Sequence, residues 1–205
     1  IGRFEGTDET YLQMFKNSAN ADTGMGGAIY VDYGANSTSS QIEVRMLQLG
    51  DKSNSENSNT AKYGAGIYLS EQSKGTAMTF NAGDDDEYLS GNIKISDAIY
   101  LQLVEGNLAK IRIDKPYNYK NQKITITSPI PATEHNRVVA SYLNNLKSKP
   151  GDLLEDIFEG KDSNGNEYCF ILNGDNIIIA ERNFYVHSEN DENSGRFYES
   201  MSSAI

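Results

Sequence analysis

The chain has 205 residues, 38% of them hydrophobic, with no Trp, 13 Tyr against 7 Phe, one Cys and a formal net charge of −11. That length holds one domain or two small ones, while the acidity excludes a general binder of nucleic acid or anionic membrane, since both need Lys and Arg to neutralise phosphates. A lone Cys169 excludes an intramolecular disulfide and a cysteine zinc cluster, and no apolar run reaches the roughly 18 residues that span a bilayer.

Taken in order, residues Thr7 to Lys16 fit either a capped helical turn or a strand, because Leu12, Met14 and Phe15 follow neither period cleanly. A strand is the preferred reading. Ser18 to Gly27 is a small-residue loop whose glycines permit positive φ and close backbone approach. As a phosphate cradle it would need a following helix, and Ala28-Ile29-Tyr30-Val31 reads as a strand.

That strand opens a phrase used three times: Ile29-Tyr30-Val31, Ile67-Tyr68-Leu69 and Ile99-Tyr100-Leu101. The copies begin 38 and then 32 residues apart, a spacing that suits serially stacked units. Each copy is followed by a glycine-containing turn and a second alternating run, so each predicts a β-hairpin. The return runs are Gln41 to Gly50, Thr76 to Phe80 and Leu108 to Ile113. Because Tyr alternates with the aliphatics, Ile29 and Val31 face a core while Tyr30, Tyr68 and Tyr100 line an outer face or a subunit interface.

Two loops in this half are conspicuous. Asp51 to Thr60 lacks apolar side chains and reads as an exposed tip. Asp84, Asp85, Asp86 and Glu87 are four consecutive acids that offer oxygens to a hard cation such as Ca²⁺. Adjacent acids point in different directions and match no calcium-loop spacing, so a solvated acidic turn is the preferred reading and no cofactor is expected.

Pro116 marks a boundary, because proline cannot donate to a ladder. Lys123 to Thr127 is a strand. From 134 to 148 the residues Val138, Val139, Tyr142, Leu143 and Leu146 recur at helical spacing after Thr133 as a cap, which predicts the one long helix. Asp152 to Phe158 resembles a short capped helix. Asp162 to Glu167 and Asn173 to Asn176 are polar turns around the strands 168–172 and 177–180, with a further strand expected at 184–187.

The expected fold is therefore mainly β: residues 1–115 form a module of repeated β-hairpins, a sandwich or fibre-like array, and 116–205 form a small α+β domain. No catalytic signature accompanies it. There is no nucleophile elbow; His135 and His187 lack the spacing and third ligand of a zinc site; Cys169, between Tyr168 and Phe170, reads as a small core residue. With 29 acids, any carboxylate pair chosen for glycoside hydrolysis is uninformative.

The string Thr23-Gly24-Met25-Gly26-Gly27-Ala28-Ile29-Tyr30-Val31-Asp32-Tyr33-Gly34-Ala35-Asn36, with its echo from Tyr63 to Leu69, resembles the shaft repeats of bacteriophage tail fibres and tailspikes over about residues 20–115. The resemblance is one of texture, which helical-β pilins and adhesins share. It implies a β-rich virion or extracellular appendage, a homotrimer that contacts other virion proteins and attaches to a host surface. The alternative expectation is a secreted or cell-surface carbohydrate-binding module, with glycoside hydrolysis as an optional activity and a surface glycan as partner.

Overall fold

The computed structural model describes residues 2–5, 11–32, 41–51, 53–70, 77–80, 93–102, 110–113, 123–134, 136–142 and 158–180. The described residues are mainly β with almost no helix, and the first thirteen strands pair in parallel with strands a full circuit away. The first circuit carries β1 (Gly2–Glu5), β2 (Leu12–Met14) and β3 (Ile29–Val31). The second carries β4 (Gln41–Arg45), β5 (Leu47–Leu49) and β6 (Ile67–Leu69). The third carries β7 (Ala77–Phe80), β8 (Ile93–Ile95) and β9 (Ile99–Leu101). Then come β10 (Lys110–Ile113) and β11 (Ile124–Ser128), and β12 (Val138–Tyr142) and β13 (Phe158–Asp162).

Equivalent strands stack into three sheets. β1, β4, β7, β10 and β12 run parallel in one, β3, β6, β9, β11 and β13 in a second, and β2, β5 and β8 in a third. A chain that visits separate sheets in turn and meets its own previous circuit in register is a parallel β-solenoid, in which each coil contacts its neighbours. The hairpins expected in residues 1–115 are corrected accordingly. β3 and β4, β6 and β7, and β9 and β10 are consecutive yet belong to different sheets. Period-two alternation looks the same whether the partner strand is the next one or lies a coil away, so it does not distinguish the two.

The solenoid interior is built from columns of like residues. Ile29, Ile67, Ile99 and Ile126 stand in register, as do Val31, Leu69 and Leu101, and all are buried. Ile42, Met78, Ile111 and Ala140 form the facing column, and Leu47 and Leu49 sit over Ile93 and Ile95. Burying each such side chain contributes roughly 1.5–3 kcal/mol. On the outer face of the third sheet, Gln13 donates from Nε2 to Oε1 of Gln48 (3.1 Å), and Lys94 stands 4.1 Å over the Tyr11 ring.

The run 41–50, expected as one strand, bends at Met46 into β4 and β5. Met46 takes φ 46°, a left-handed corner that turns the chain from one sheet to the next. The helix expected over 134–148 is also corrected: Val138–Tyr142 is strand β12, and residues 143–148 lie outside the described part. A bulge between Val138 and Ala140 where β12 meets β15 (Asn176–Ala180) leaves the adjacent Val139 and Ala140 both buried. That breaks the strict alternation and imitates helical spacing. Phe158, expected to close the second helix, opens β13 instead; 152–157 lie outside the described residues.

The turns at Asp162–Glu167 and Asn173–Asn176 form as expected, with Gly165 and Gly174 at positive φ. The second joins β14 (Cys169–Asn173) to β15 in an antiparallel hairpin that extends the first sheet to seven strands. At that end the Tyr168 and Phe170 rings meet at a tilt, with centroids 5.7 Å and planes 58° apart, and Phe170 meets Phe158 at 5.9 Å and 55°. The Tyr168 hydroxyl donates to the carbonyls of Ile130 (2.6 Å) and Ser128 (3.1 Å). Gly160 leaves room for this closure, since a Cβ there would lie 2.2 Å from the Ile126 carbonyl and 3.0 Å from the Tyr168 ring. Both large sheets, and one buried apolar cluster, continue across the boundary expected at Pro116.

Candidate functional site

The outer face of the five-stranded sheet concentrates the side chains not used by the core. Register places Tyr30, Tyr68, Tyr100, Thr127 and Lys161 in one column, one per coil. Tyr30 and Tyr68 stack with centroids 5.4 Å apart and planes 19° apart; Tyr68 and Tyr100 stack at 5.1 Å and 6°. Parallel strands lie about 4.8 Å apart, so identical rings in register are set almost at stacking distance by the backbone alone.

Neighbours fix the column. Tyr68, 2% exposed, donates its hydroxyl to Oε1 of Gln102 one coil on, and the Ser70 hydroxyl donates to Asp32 at 2.7 Å. Tyr63 leans on Tyr100 with centroids 5.0 Å apart and planes at 52°. It is held there by a parallel bridge to Met25 and by Gly64 at φ 62°, where a Cβ would strike the Ile67 carbonyl at 2.1 Å. Burial raises the Tyr100 hydroxyl above its ordinary pKa, with Tyr63 adding to it; burial and the Asp32 carboxylate raise Tyr30.

Past Tyr100 the face becomes a groove. A cavity of about 390 Å³ is lined by Lys62, Tyr63, Tyr100, Thr127, Ser128, Lys161, Asp162 and Ser163. A neighbouring one of about 520 Å³ shares Thr127 and Lys161 and adds Lys123, Thr125, Glu159, Glu167 and Tyr168. The Lys62 ammonium sits 5.2 Å from the centroid of the Tyr63 ring, within cation–π range. Three lysines in one groove stand out on a chain of net charge −11.

The carboxylates here are mostly committed. Asp162 accepts from the backbone N–H groups of Ala132 (3.1 Å), Asn164 (2.9 Å) and Asn166 (2.8 Å) and from the Asn166 amide (2.9 Å). The Asn166 side chain, followed by these backbone donors, holds its pKa down to about 2. It organises a turn, so it is no proton donor at neutral pH. Glu159 accepts from the Thr125 hydroxyl at 2.8 Å. Glu167 lies 3.9 Å from Lys161, an exposed pair of little energetic weight.

A second polar cluster stitches the coils from within. Asn59, buried at 2% exposure in the loop expected to be an exposed tip, accepts on Oδ1 from the backbone and side-chain amides of Asn17, both at 2.9 Å. It donates from Nδ2 to the Met14 carbonyl (2.8 Å) and to Asp97 (2.7 Å), and from its backbone N–H to Asp97 (3.1 Å). Asn17, Asn59 and Asp97 belong to three successive coils. Gly50, at φ 64°, admits the Asp97 carboxylate where a Cβ would lie 2.4 Å from it. Burial raises the Asp97 pKa, opposed by the Asn59 donors.

The tyrosines Tyr30, Tyr68 and Tyr100 are thus brought together. Asp84, Asp85, Asp86 and Glu87, and both histidines, lie outside the described residues. No cluster of three or more His, Cys, Asp or Glu suited to a metal occurs among the described residues. Cys169 is buried in β14. Sequence reasoning missed Asn59, Asp97, Thr127 and Lys161, whose only local trace is polar residues beside apolar runs. No helix among the described residues is long and apolar enough to cross a membrane. No protein-family model, curated protein or solved structure matches this chain.

Proposed function

We propose that the chain is a structural segment of a virion fibre or spike, assembled as a homotrimer at a virion or extracellular surface and serving assembly or host attachment. The observation that carries this reading is the stacked column of Tyr30, Tyr68 and Tyr100 over an in-register aliphatic column. Such a unit resists bending and is lengthened by adding coils without redesigning a core. The buried polar groups Asn59, Asp97 and Asp162 hold coils and turns together rather than converging on a reacting atom. A net charge of −11 keeps an exposed appendage soluble. Light scattering after size exclusion tests the assembly: the expected mass is three chains, and a stable monomer at micromolar concentration ends the trimeric reading.

The groove supports a second reading, a surface carbohydrate-binding module. Tyr63 and Tyr100 offer ring faces for sugar stacking, and Lys62, Thr127 and Lys161 offer hydrogen-bond donors beside them. Hydrolysis there would need two carboxylates roughly 5–9 Å apart, and besides Asp162 the carboxylates lining the groove among the described residues are Glu159, which accepts from Thr125, and Glu167, which pairs with Lys161. A glycan array is expected to give hits that Tyr63→Ala abolishes, and an array without hits ends this reading.

A further inference from the structure

The groove past Tyr100 is drawn from four successive coils: Lys62 and Tyr63 from the second, Tyr100 from the third, Thr127 from the fourth and Lys161 from the fifth. It therefore runs along the solenoid axis, and the adjoining cavity that shares Thr127 and Lys161 prolongs it. A cleft elongated across coils suits a polymer better than a single small molecule. Its charges are spread unevenly. The cavity at Tyr63 and Tyr100 sets the ammonium groups of Lys62 and Lys161 against one carboxylate, Asp162, whereas the adjoining one sets Lys123 and Lys161 against Glu159 and Glu167 and is formally neutral. Asp162 commits its oxygens to three backbone N–H groups and the Asn166 amide, so the dipoles of its own turn offset its charge. No carboxylate among the described residues lies within ion-pair distance of Lys62, whose ammonium stays beside the Tyr63 ring. The Glu167 contact of Lys161 is long and exposed, and a competing anion displaces it at little cost.

We propose that the Tyr63–Tyr100 end of the groove is a subsite for an acidic sugar within a polysaccharide, its carboxylate or sulfate met by Lys62 and Lys161 and its ring lying against the tyrosines. This rests on the carbohydrate-binding reading of the groove and adds the sign of the ligand's charge. The hydroxyls of Thr127, Ser128 and Ser163 line the same cavity and serve as partners for sugar hydroxyls. The chain as a whole carries −11 and repels a polyanion at a distance. Beyond roughly 8 Å that field is screened at physiological ionic strength, so the charges in contact with the ligand decide which sugars are kept.

The full chain is tested at physiological salt on an array carrying polygalacturonate, polysialate, dextran sulfate, galactan and dextran. Hits are expected among the acidic polymers, and the carboxylated and sulfated members tell which acid supplies the charge. Carboxyl reduction or desulfation of the hit is expected to weaken binding about tenfold, and Lys62→Gln and Lys161→Gln about threefold each, the weight of exposed ion pairs. Melting curves matching the parent establish that the variants fold. Lys62→Arg is expected to retain binding, and so is Lys94→Gln, which removes a cation from the third sheet, outside the groove. Hits on galactan or dextran that equal those on the acidic polymers, affinity unchanged by reduction or desulfation, or an equal loss in Lys94→Gln overturns the acidic subsite while leaving a carbohydrate-binding groove standing; an array without hits ends both.

Discussion

The first three coils and the last two share one interior and differ on the outside. Inward, the isoleucine column runs unbroken from Ile29 through Ile67 and Ile99 to Ile126. Outward, the tyrosine column stops after Tyr100, and Thr127 and Lys161 take its place in the same register. Aromatic residues in the later region turn the other way: Tyr168 and Phe170 cover the end of the interior and Tyr168 bonds to backbone carbonyls. Burial of a continuous apolar column makes a coil, and the outer column is then free to stiffen it, open a groove or end it.

The largest expected effect tests the shared interior. Ile67→Ala and Ile126→Ala each empty a fully buried position, and each is expected to cost about 2–5 kcal/mol in urea denaturation. Similar losses in the two regions uphold a common interior; a loss confined to one shows that the two halves unfold separately.

The Asn17–Asn59–Asp97 cluster belongs to the first region alone. Asp97→Ala strips a buried partner from two Asn59 donors and is expected to cost about 1–3 kcal/mol, while Asp97→Asn keeps an acceptor. The pH dependence separates charge from hydrogen bonding. Burial raises the folded pKa of Asp97, so its contribution is fully present below the unfolded value of about 3.9 and is lost as pH rises through the folded one. Asp97→Asn is expected to remove that decline. An unchanged slope would place the decline on another group.

In the last coils Asp162 has the opposite sign. Its folded pKa is held at about 2, so its contribution is present above about 3.9 and is lost as pH falls from about 4 to about 2. Asp162→Ala is expected to flatten acid unfolding in that window, read by the melting temperature.

The smallest effect tests the outer column. Tyr68→Leu keeps an apolar side chain and removes both stacks, at an expected cost of about 1–2 kcal/mol. Loss of near-ultraviolet circular dichroism should accompany it, because three rings about 5 Å apart are strongly coupled. An unaltered spectrum would mean that the rings do not stack in solution.

Much of the local structure was legible. The apolar–Tyr–apolar phrases mark β3, β6 and β9, and the turns at Asp162 and Asn173 follow from their Asn and Gly residues. Asn59 was not legible, because it sits among ten residues with no apolar side chain and its partners Met14, Asn17 and Asp97 come from other coils. Nor was β12, where a bulge placed Val139 and Ala140 side by side in the interior.

Read alone, the sequence specifies strands such as β3, β6, β9, β11, β14 and β15 and the turns at Asp162 and Asn173, because these follow from alternation and turn chemistry within a few residues. Which strand meets which was decided in three dimensions. Ile29-Tyr30-Val31 has the same pattern whether it pairs with Gln41–Arg45 or with Ile67-Tyr68-Leu69, and only closing each coil over an apolar interior selects the latter and lines up the tyrosines.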